Sequence, residues 1–488
     1  MKRLRHAPAS RSQQIRSTLR HPVIDGDGHT LDLLPVLLEF LADVGGGTMV
    51  DRLKEHPAYK FVVDQEALGT TLAQRRYDGR VFDSWWGCSG RTLDRATAML
   101  PGLLEERMGE LGIDFTILFP SESAIVHSMQ DDDMRLAGCR AHNMMTAELF
   151  GAHQRFMTPT AIIPMSTPGE AVAELEYAIG VLGHKAVNMG GSPRRQIPKF
   201  KDELPSASRY ITRPELYGID SDHDYDAVWA KCEELKVAPC FHAKEQRQSI
   251  SSYVYNHLGA FAQGNETICK GLFMGGVTRR FPKVNFGFLE GGAAWACSLF
   301  ADLISHWEKR GGTAINRLDP AGIDVDEILL LLGEYGGETQ RRSTPAIESH
   351  LRVEPPRPEY LDEFAACGIR EKRDFYDLFV PRFFFGCEAD APLDTCAFNP
   401  KINPFKATLQ AMLGSDIGHW DVPDIRGVVE EAYEHVEHGL MTEDDFEKFT
   451  FSNIVRLHGG MNPSFFTGTN VEEASSAVLC APAEQLLA

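Results

Sequence analysis

The chain has 488 residues, 43% hydrophobic and 24% charged, a balance that suits a folded protein with a large buried core and excludes a disordered polymer. Its 69 acids outweigh 49 Lys and Arg, and the formal net charge of −20 repels phosphate backbones and anionic lipid, which argues against nucleic acid or a membrane as partner. Ten cysteines lie scattered without a CxxC pair and no apolar run approaches the roughly 18 to 20 residues of a membrane helix, so we expect free thiols in a soluble, cytoplasmic protein.

The first stretch, 1–21, is a basic arm: Lys2, Arg3, Arg5, Arg11, Arg16 and Arg20 occur without an acid among them. Organelle transit peptides share that composition, and we expect instead a mobile arm or one packed on a partner subunit. Short apolar runs bounded by Gly, Pro or polar residues then follow in order: PVIDGDG (22–28), FTILFP (115–120), TPTAIIP (158–164), KAVNMG (185–190), VAPCFH (237–242), VNFGFLE (284–290), RFFFGCE (382–388) and ATLQAMLGSD (407–416). Between several of them lie segments with three-and-four apolar spacing, such as PGEAVAELEYAIGVLG and YDAVWAKCEELK. This alternation predicts an α/β fold, a (β/α)8 TIM barrel over 22–466, followed by a tail at 467–488. Three insertions interrupt the rhythm, near 43–100, 192–222 and 311–380. The first and third are long enough for helical subdomains, and the third contains IDVDEILLLLGEYG and PEYLDEFAACGI.

Chemistry-bearing residues cluster at the strand ends. Asp25, Asp27 and His29 alternate with glycines, and a period of two places all three on one face of the first strand. Charges there need compensation, for which an Asp-x-His pair holding a divalent cation is one reading and a turn with a helix cap is the other. His242, Glu290, Glu388 and Asp416 end the fifth, sixth, seventh and eighth strands, and a closed barrel delivers all of them to one mouth. His257 lines that mouth if its loop folds back and is otherwise a packing histidine. His419 orients a substrate or caps the GHWD turn, His306 reads as structural, and Trp85 and Trp86 cover an aromatic substrate or fill a subdomain. GGG at 45–47 lacks the context of a phosphate loop, and neither GxSxG nor HExxH occurs, which leaves nucleotide-binding, serine-hydrolase and zincin readings without support.

The opening VIDGDGH, GIDFTILFPS, the FH of strand five, FPKVNFGFLEGGAAW, GSDIGHWD and SNIVRLHGGMNPSFF together resemble the decarboxylase-like branch of the amidohydrolase superfamily, over roughly 22–466. That branch includes aminocarboxymuconate-semialdehyde decarboxylase and resorcylate-type decarboxylases. The resemblance implies metal ligation by Asp27, His29, His242 and Asp416. The sequence departs from it where the family often places a histidine in an HGG segment, since the sixth strand here ends in Glu290-Gly291-Gly292. A carboxylate at that place serves as a general base or bridges two cations.

The reading that follows is a metalloenzyme with a divalent ion (Zn, Mn or Fe) or two such ions. It acts on a small carboxylated or aromatic molecule by hydrolysis or non-oxidative decarboxylation, with Asp416, Glu290 and His257 as catalytic candidates. Two alternatives stand beside it: a dinuclear non-haem metal oxygenase using Glu290 and His257 as extra ligands, and a non-catalytic partner subunit. We expect a homo-oligomer or pairing with a related subunit.

Overall fold

The computed structural model describes residues 9–56, 59–60, 71–78, 90–208, 211–244, 250, 252–353 and 361–481; Trp85 and Trp86 lie outside them. Each apolar run of the sequence becomes a strand of one parallel sheet. In chain order the strands are Ile24–Thr30, Phe115–Pro120, Met157–Ile162, Ala186–Asn188, Pro239–Phe241, Phe286–Phe288, Phe383–Cys387 and Gln410–Leu413. Every neighbouring pair in that order is parallel. The eighth strand returns to the first just past its end, where the Ser415 and Asp416 amides donate to the Asp27 carbonyl at 3.1 and 3.2 Å. The fold is therefore the expected (β/α)8 barrel. Its strands read as near-continuous apolar runs because both faces are buried, and rings such as Phe241, Phe286, Phe288 and Phe383 fill the space between sheet and helices.

Asp25 ties this closure together. Its buried carboxylate accepts from the Ser415 amide (2.9 Å), the Ser415 hydroxyl (2.7 Å), the Thr116 hydroxyl (2.7 Å) and the Asp27 amide (3.2 Å). It thus joins the first and second strands to the segment after the eighth and belongs to neither group of candidate ligands next to it. The expectation that Asp25 shares a face with Asp27 and His29 fails because pairing with the second strand slips between Asp25 and Gly28, and such a bulge re-aims the residues around it. Gly28 is required at this point, since a Cβ there would stand 2.4 Å from Asp25 Oδ2 and 2.5 Å from Thr116 Oγ1.

The insertions cover the barrel's rim. After the first strand, helix Leu34–Glu55 bends at Gly46 (φ 74°) and packs on helix Asp132–Phe150 around a second apolar cluster that includes Leu37, Leu41 and Leu53. Residues 192–222 contain an antiparallel ribbon, Arg194–Gln196 with Thr212–Pro214. In the third insertion IDVDEILLLLGEYG forms helix Val325–Tyr335, with Asp324 capping the Glu327 amide. Of PEYLDEFAACGI, residues 358–360 lie outside the described residues, and 361–369 form turns, with the Asp362 carboxylate accepting from the Phe364 amide and Gly368 in the left-handed region at φ 61°. The described part of the basic arm, from residue 9 on, is not mobile as one expectation had it, since helix Arg11–Thr18 docks on its own chain. Ser12 donates to the Arg426 carbonyl, Arg11 pairs with Glu437, and Arg16 pairs with Asp114. The nine described cysteines are free thiols, and among the described residues no helix is long and apolar enough to cross a membrane.

Candidate metal centre

Four strand ends, with the loops after the fifth and the eighth, build the site. The first strand supplies Asp27 and His29, the fifth is followed by His242, the sixth by Glu290, and the eighth by Asp416. Glu290 and Asp416 have left-handed backbones, φ 55° and 51°. Bulky non-glycine residues avoid that region, and when they occupy it they mark places where the surrounding structure imposes a side-chain direction.

The directions converge. His29 Nε2 lies 3.0 Å from Asp416 Oδ1, 3.7 Å from Asp27 Oδ1 and 4.0 Å from Glu290 Oε2. His242 Nε2 lies 2.8 Å from Glu290 Oε2 and 3.8 Å from Asp27 Oδ1. His257, from the helix Tyr253–His257 after the fifth strand, does fold back: its Nε2 is 3.6 Å from Glu290 Oε1. The ligand and catalytic candidates of the sequence, Asp27, His29, His242, His257, Glu290 and Asp416, are linked by these contacts. His306, in contrast, stands on an exposed helix face with Nδ1 against the Asp302 carbonyl, as a structural residue should.

The sequence reading left His419 open and missed Asp421. His419 Nδ1 is 3.3 Å from Asp416 Oδ1, its Nε2 is 3.1 Å from the Ser121 hydroxyl, and its ring lies against His29 with centroids 3.8 Å apart. Asp421 and Glu388 join Asp416 in a further acidic group. Tyr253, His257, Phe261 and Trp420 enclose the mouth in edge-to-face and stacked contacts. The tight turn in which the His419 amide donates to the Asp416 carbonyl brings this loop back, and spacing alone does not reveal such a turn.

The electrostatics describe a group of buried, strongly interacting acids and imidazoles. Burial pushes the Asp27 carboxyl well above its ordinary value, and the Asp416 and Glu290 charges add to it. Burial, with His419 beside it, lowers His29 to about 4. Burial opposes ionisation of Glu290 and so does Asp416, yet His242 and His257 hold its carboxyl down at about 2. Burial likewise disfavours the His419 cation, but Asp416 raises it to about 9.

The donor chemistry fits a divalent cation. Asp27 Oδ1, His29 Nε2, His242 Nε2, Glu290 Oε2 and both Asp416 oxygens are buried and form no hydrogen bond. Unpaired buried polar atoms are costly, and imidazole nitrogens with carboxylate oxygens are the donor set of zinc, manganese and iron. Two overlapping groups, Asp27 with His29 and His242, and His29 with Glu290, Asp416 and His419, each bring their donors within 4.8 Å of one another. Beside His242 lies a cavity of about 510 Å3. Among the described residues that line it none is acidic, while Arg194 and Lys244 are cationic.

An amidohydrolase family model matches residues 25–338 of the chain. No curated protein matches it. Among solved structures it is similar to 2,6-dihydroxybenzoate decarboxylase from Rhizobium, at 15% identity over 90% of this chain and 98% of that one, with a TM-score of 0.47. It is also similar to an amidohydrolase from Mycobacterium avium subsp. paratuberculosis K-10, at 15% identity over 91% and 100% of the two chains (TM-score 0.49). A third similar structure is 5-carboxyvanillate decarboxylase from Sphingomonas paucimobilis, at 12% identity over 90% and 98% (TM-score 0.43).

Proposed function

This chain belongs to the amidohydrolase family, and from that premise we propose that it is a metal-dependent enzyme acting on a small organic acid, by hydrolysis or by non-oxidative decarboxylation. One observation carries the reading: buried donors from distant parts of the chain gather in two groups that share His29, one of Asp27, His29 and His242 and the other of His29, Glu290, Asp416 and His419. A divalent cation there supplies a Lewis acid that polarises a carbonyl or carboxylate and acidifies bound water.

The chain's own groups do the rest. The cavity beside His242 carries Arg194 and Lys244 and, among its described lining, no carboxylate. In a protein of net charge −20 such a lining favours an anion over a cation or a neutral molecule. The ring cluster of Tyr253, Phe261 and Trp420 offers flat apolar faces to an aromatic body. Glu290, with Oε2 toward His242 and Oε1 toward His257, holds a proton-accepting oxygen at the junction of donor cluster and mouth, and His257 passes the proton outward.

Elemental analysis of the purified chain tests the reading. It should contain at least one equivalent of zinc, manganese or iron, and His242→Ala should lose most of it while keeping its circular dichroism spectrum. A wild-type protein that takes up no ion, or a His242→Ala protein that retains the full complement, overturns the assignment. Glu290→Ala separates two roles for that residue. As a ligand its loss lowers metal content; as a base its loss leaves content intact and slows turnover by about 10²-fold or more, read from kcat on whichever aromatic acid or amide the wild type consumes.

A further inference from the structure

Two thiols meet outside the metal centre. Cys297 stands in the first turn of helix Ala294–Arg310, which follows the sixth strand, and Cys396 stands in the short helical segment Pro392–Phe398, which follows the seventh. Their sulfurs lie 3.4 Å apart, and both residues are half-buried. The backbones that carry them are joined independently of sulfur. Asp394 Oδ1 accepts from the Ala293 amide at 2.7 Å and from the Ala294 amide at 3.2 Å, so the segment of Cys396 caps the helix of Cys297. Cys396 also lines a cavity of about 860 Å3, whose described lining sets Arg373, Lys401, Lys406 and Lys448 against one acid, Asp445. Cationic surroundings favour the thiolate, which is the reactive form. The hydrogen bond with Cys297 holds the Cys396 thiol below its ordinary value and pushes Cys297 up, so the first proton of the pair leaves from Cys396.

We propose that Cys297 and Cys396 form a peroxide-sensitive dithiol, a reversible modification site in which Cys396 is oxidised first and Cys297 closes the disulfide. The Cys396 thiolate attacks one oxygen of hydrogen peroxide and breaks the O–O bond. The other oxygen leaves as hydroxide and takes up a proton, and Cys396 becomes a sulfenic acid. The Cys297 sulfur then attacks the Cys396 sulfur, the S–O bond breaks, and the departing hydroxide takes the Cys297 proton to form water. In all, two thiols give up two electrons and one peroxide becomes two waters. The bond ties the helix that follows Glu290 to the segment that follows Glu388, and it needs no metal in the centre.

The test exposes the purified native chain, reduced and then freed of reductant, to a few equivalents of hydrogen peroxide. The protein is then unfolded, its remaining thiols are blocked with iodoacetamide, and its peptides are mapped by mass spectrometry. A linked Cys297–Cys396 peptide should account for two of the ten thiols, and dithiothreitol should return both. With dimedone present, Cys297→Ser should carry the sulfenic-acid adduct on Cys396, whereas Cys396→Ser should leave Cys297 unmodified at the same dose. The link should raise the thermal midpoint by about 5 °C, because it closes a long loop between elements already in place. A pair that stays reduced while other cysteines oxidise overturns the proposal, as does a bond from Cys396 to Cys387, which lies buried nearby. Dimedone on Cys297 in Cys396→Ser refutes the order of the two steps. A bond that forms but leaves the midpoint unchanged or lower shows that the backbone has to move to make it, and refutes a preset pair. The wild-type map decides the pairing by itself should either variant fail to fold.

Discussion

An Asp416→Asn protein will fold, hold metal weakly and turn over about 10²- to 10³-fold more slowly than the wild type, the scale of losing a preorganised charged group from a reacting centre. Asp416 has this leverage because it touches two of the site's histidines, His29 at 3.0 Å and His419 at 3.3 Å, and because both its oxygens lack other partners. The amide has nearly the same shape, so packing survives, but the negative charge that neutralises a cation is gone. Stability should fall with activity. Asp416 adds to the charge that pushes the Asp27 carboxyl up, but against burial His419 and His29 hold its own carboxyl well below the ordinary value, so at neutral pH the charge stabilises the fold and asparagine gives that up. The thermal midpoint of metal-free Asp416→Asn should lie below that of metal-free wild type, and added metal should raise the wild-type midpoint more. Unchanged kcat in this variant would take Asp416 out of the chemistry.

Much of this architecture was legible in the sequence, for reasons that also explain what was not. A strand buried on both faces needs an unbroken apolar run, so the eight runs mark the eight strands, and the polar residues that end them stand out against that background. Asp27, His29, His242, Glu290 and Asp416 are visible for that reason. What depends on backbone irregularity is not visible. The slip in pairing between Asp25 and Gly28 breaks the period of two and separates Asp25 from Asp27 in role. The turn after Asp416 places His419 and Asp421, and nothing in GSDIGHWD distinguishes a site loop from an ordinary cap. Long-range docking is equally silent: the basic arm looks free because its partners, Asp114, Arg426 and Glu437, are about a hundred to more than four hundred residues away.

Asp25→Ala should be the most destabilising single change near the site, although Asp25 belongs to none of the candidate ligand groups. Its carboxylate is fully buried and accepts four hydrogen bonds, from the amides of Asp27 and Ser415 and the hydroxyls of Ser415 and Thr116. Burial raises its carboxyl to about 6, and those four donors oppose the rise. Alanine leaves the two amides without an acceptor in a site closed to water. The hydroxyls rotate toward each other, but backbone N–H groups have no such freedom. Two orphaned amides and the lost charge-assisted bonds cost about 3 to 5 kcal/mol, and at roughly 2 °C per kcal/mol for a long chain the midpoint should fall by about 6 to 10 °C. Asparagine keeps one acceptor for the two amides and turns its NH2 to the hydroxyls, which accept as well as donate, so Asp25→Asn should lose less than half as much. The order Asp, then Asn, then Ala is the signature of an acceptor cluster and differs from that of a cavity, where Asn would be the harsher of the two. Because these bonds fix the segment that leads into Asp416, Asp25→Ala should also weaken metal binding without removing a ligand. Equal midpoints for all three proteins would show that the barrel closes by some means other than this carboxylate.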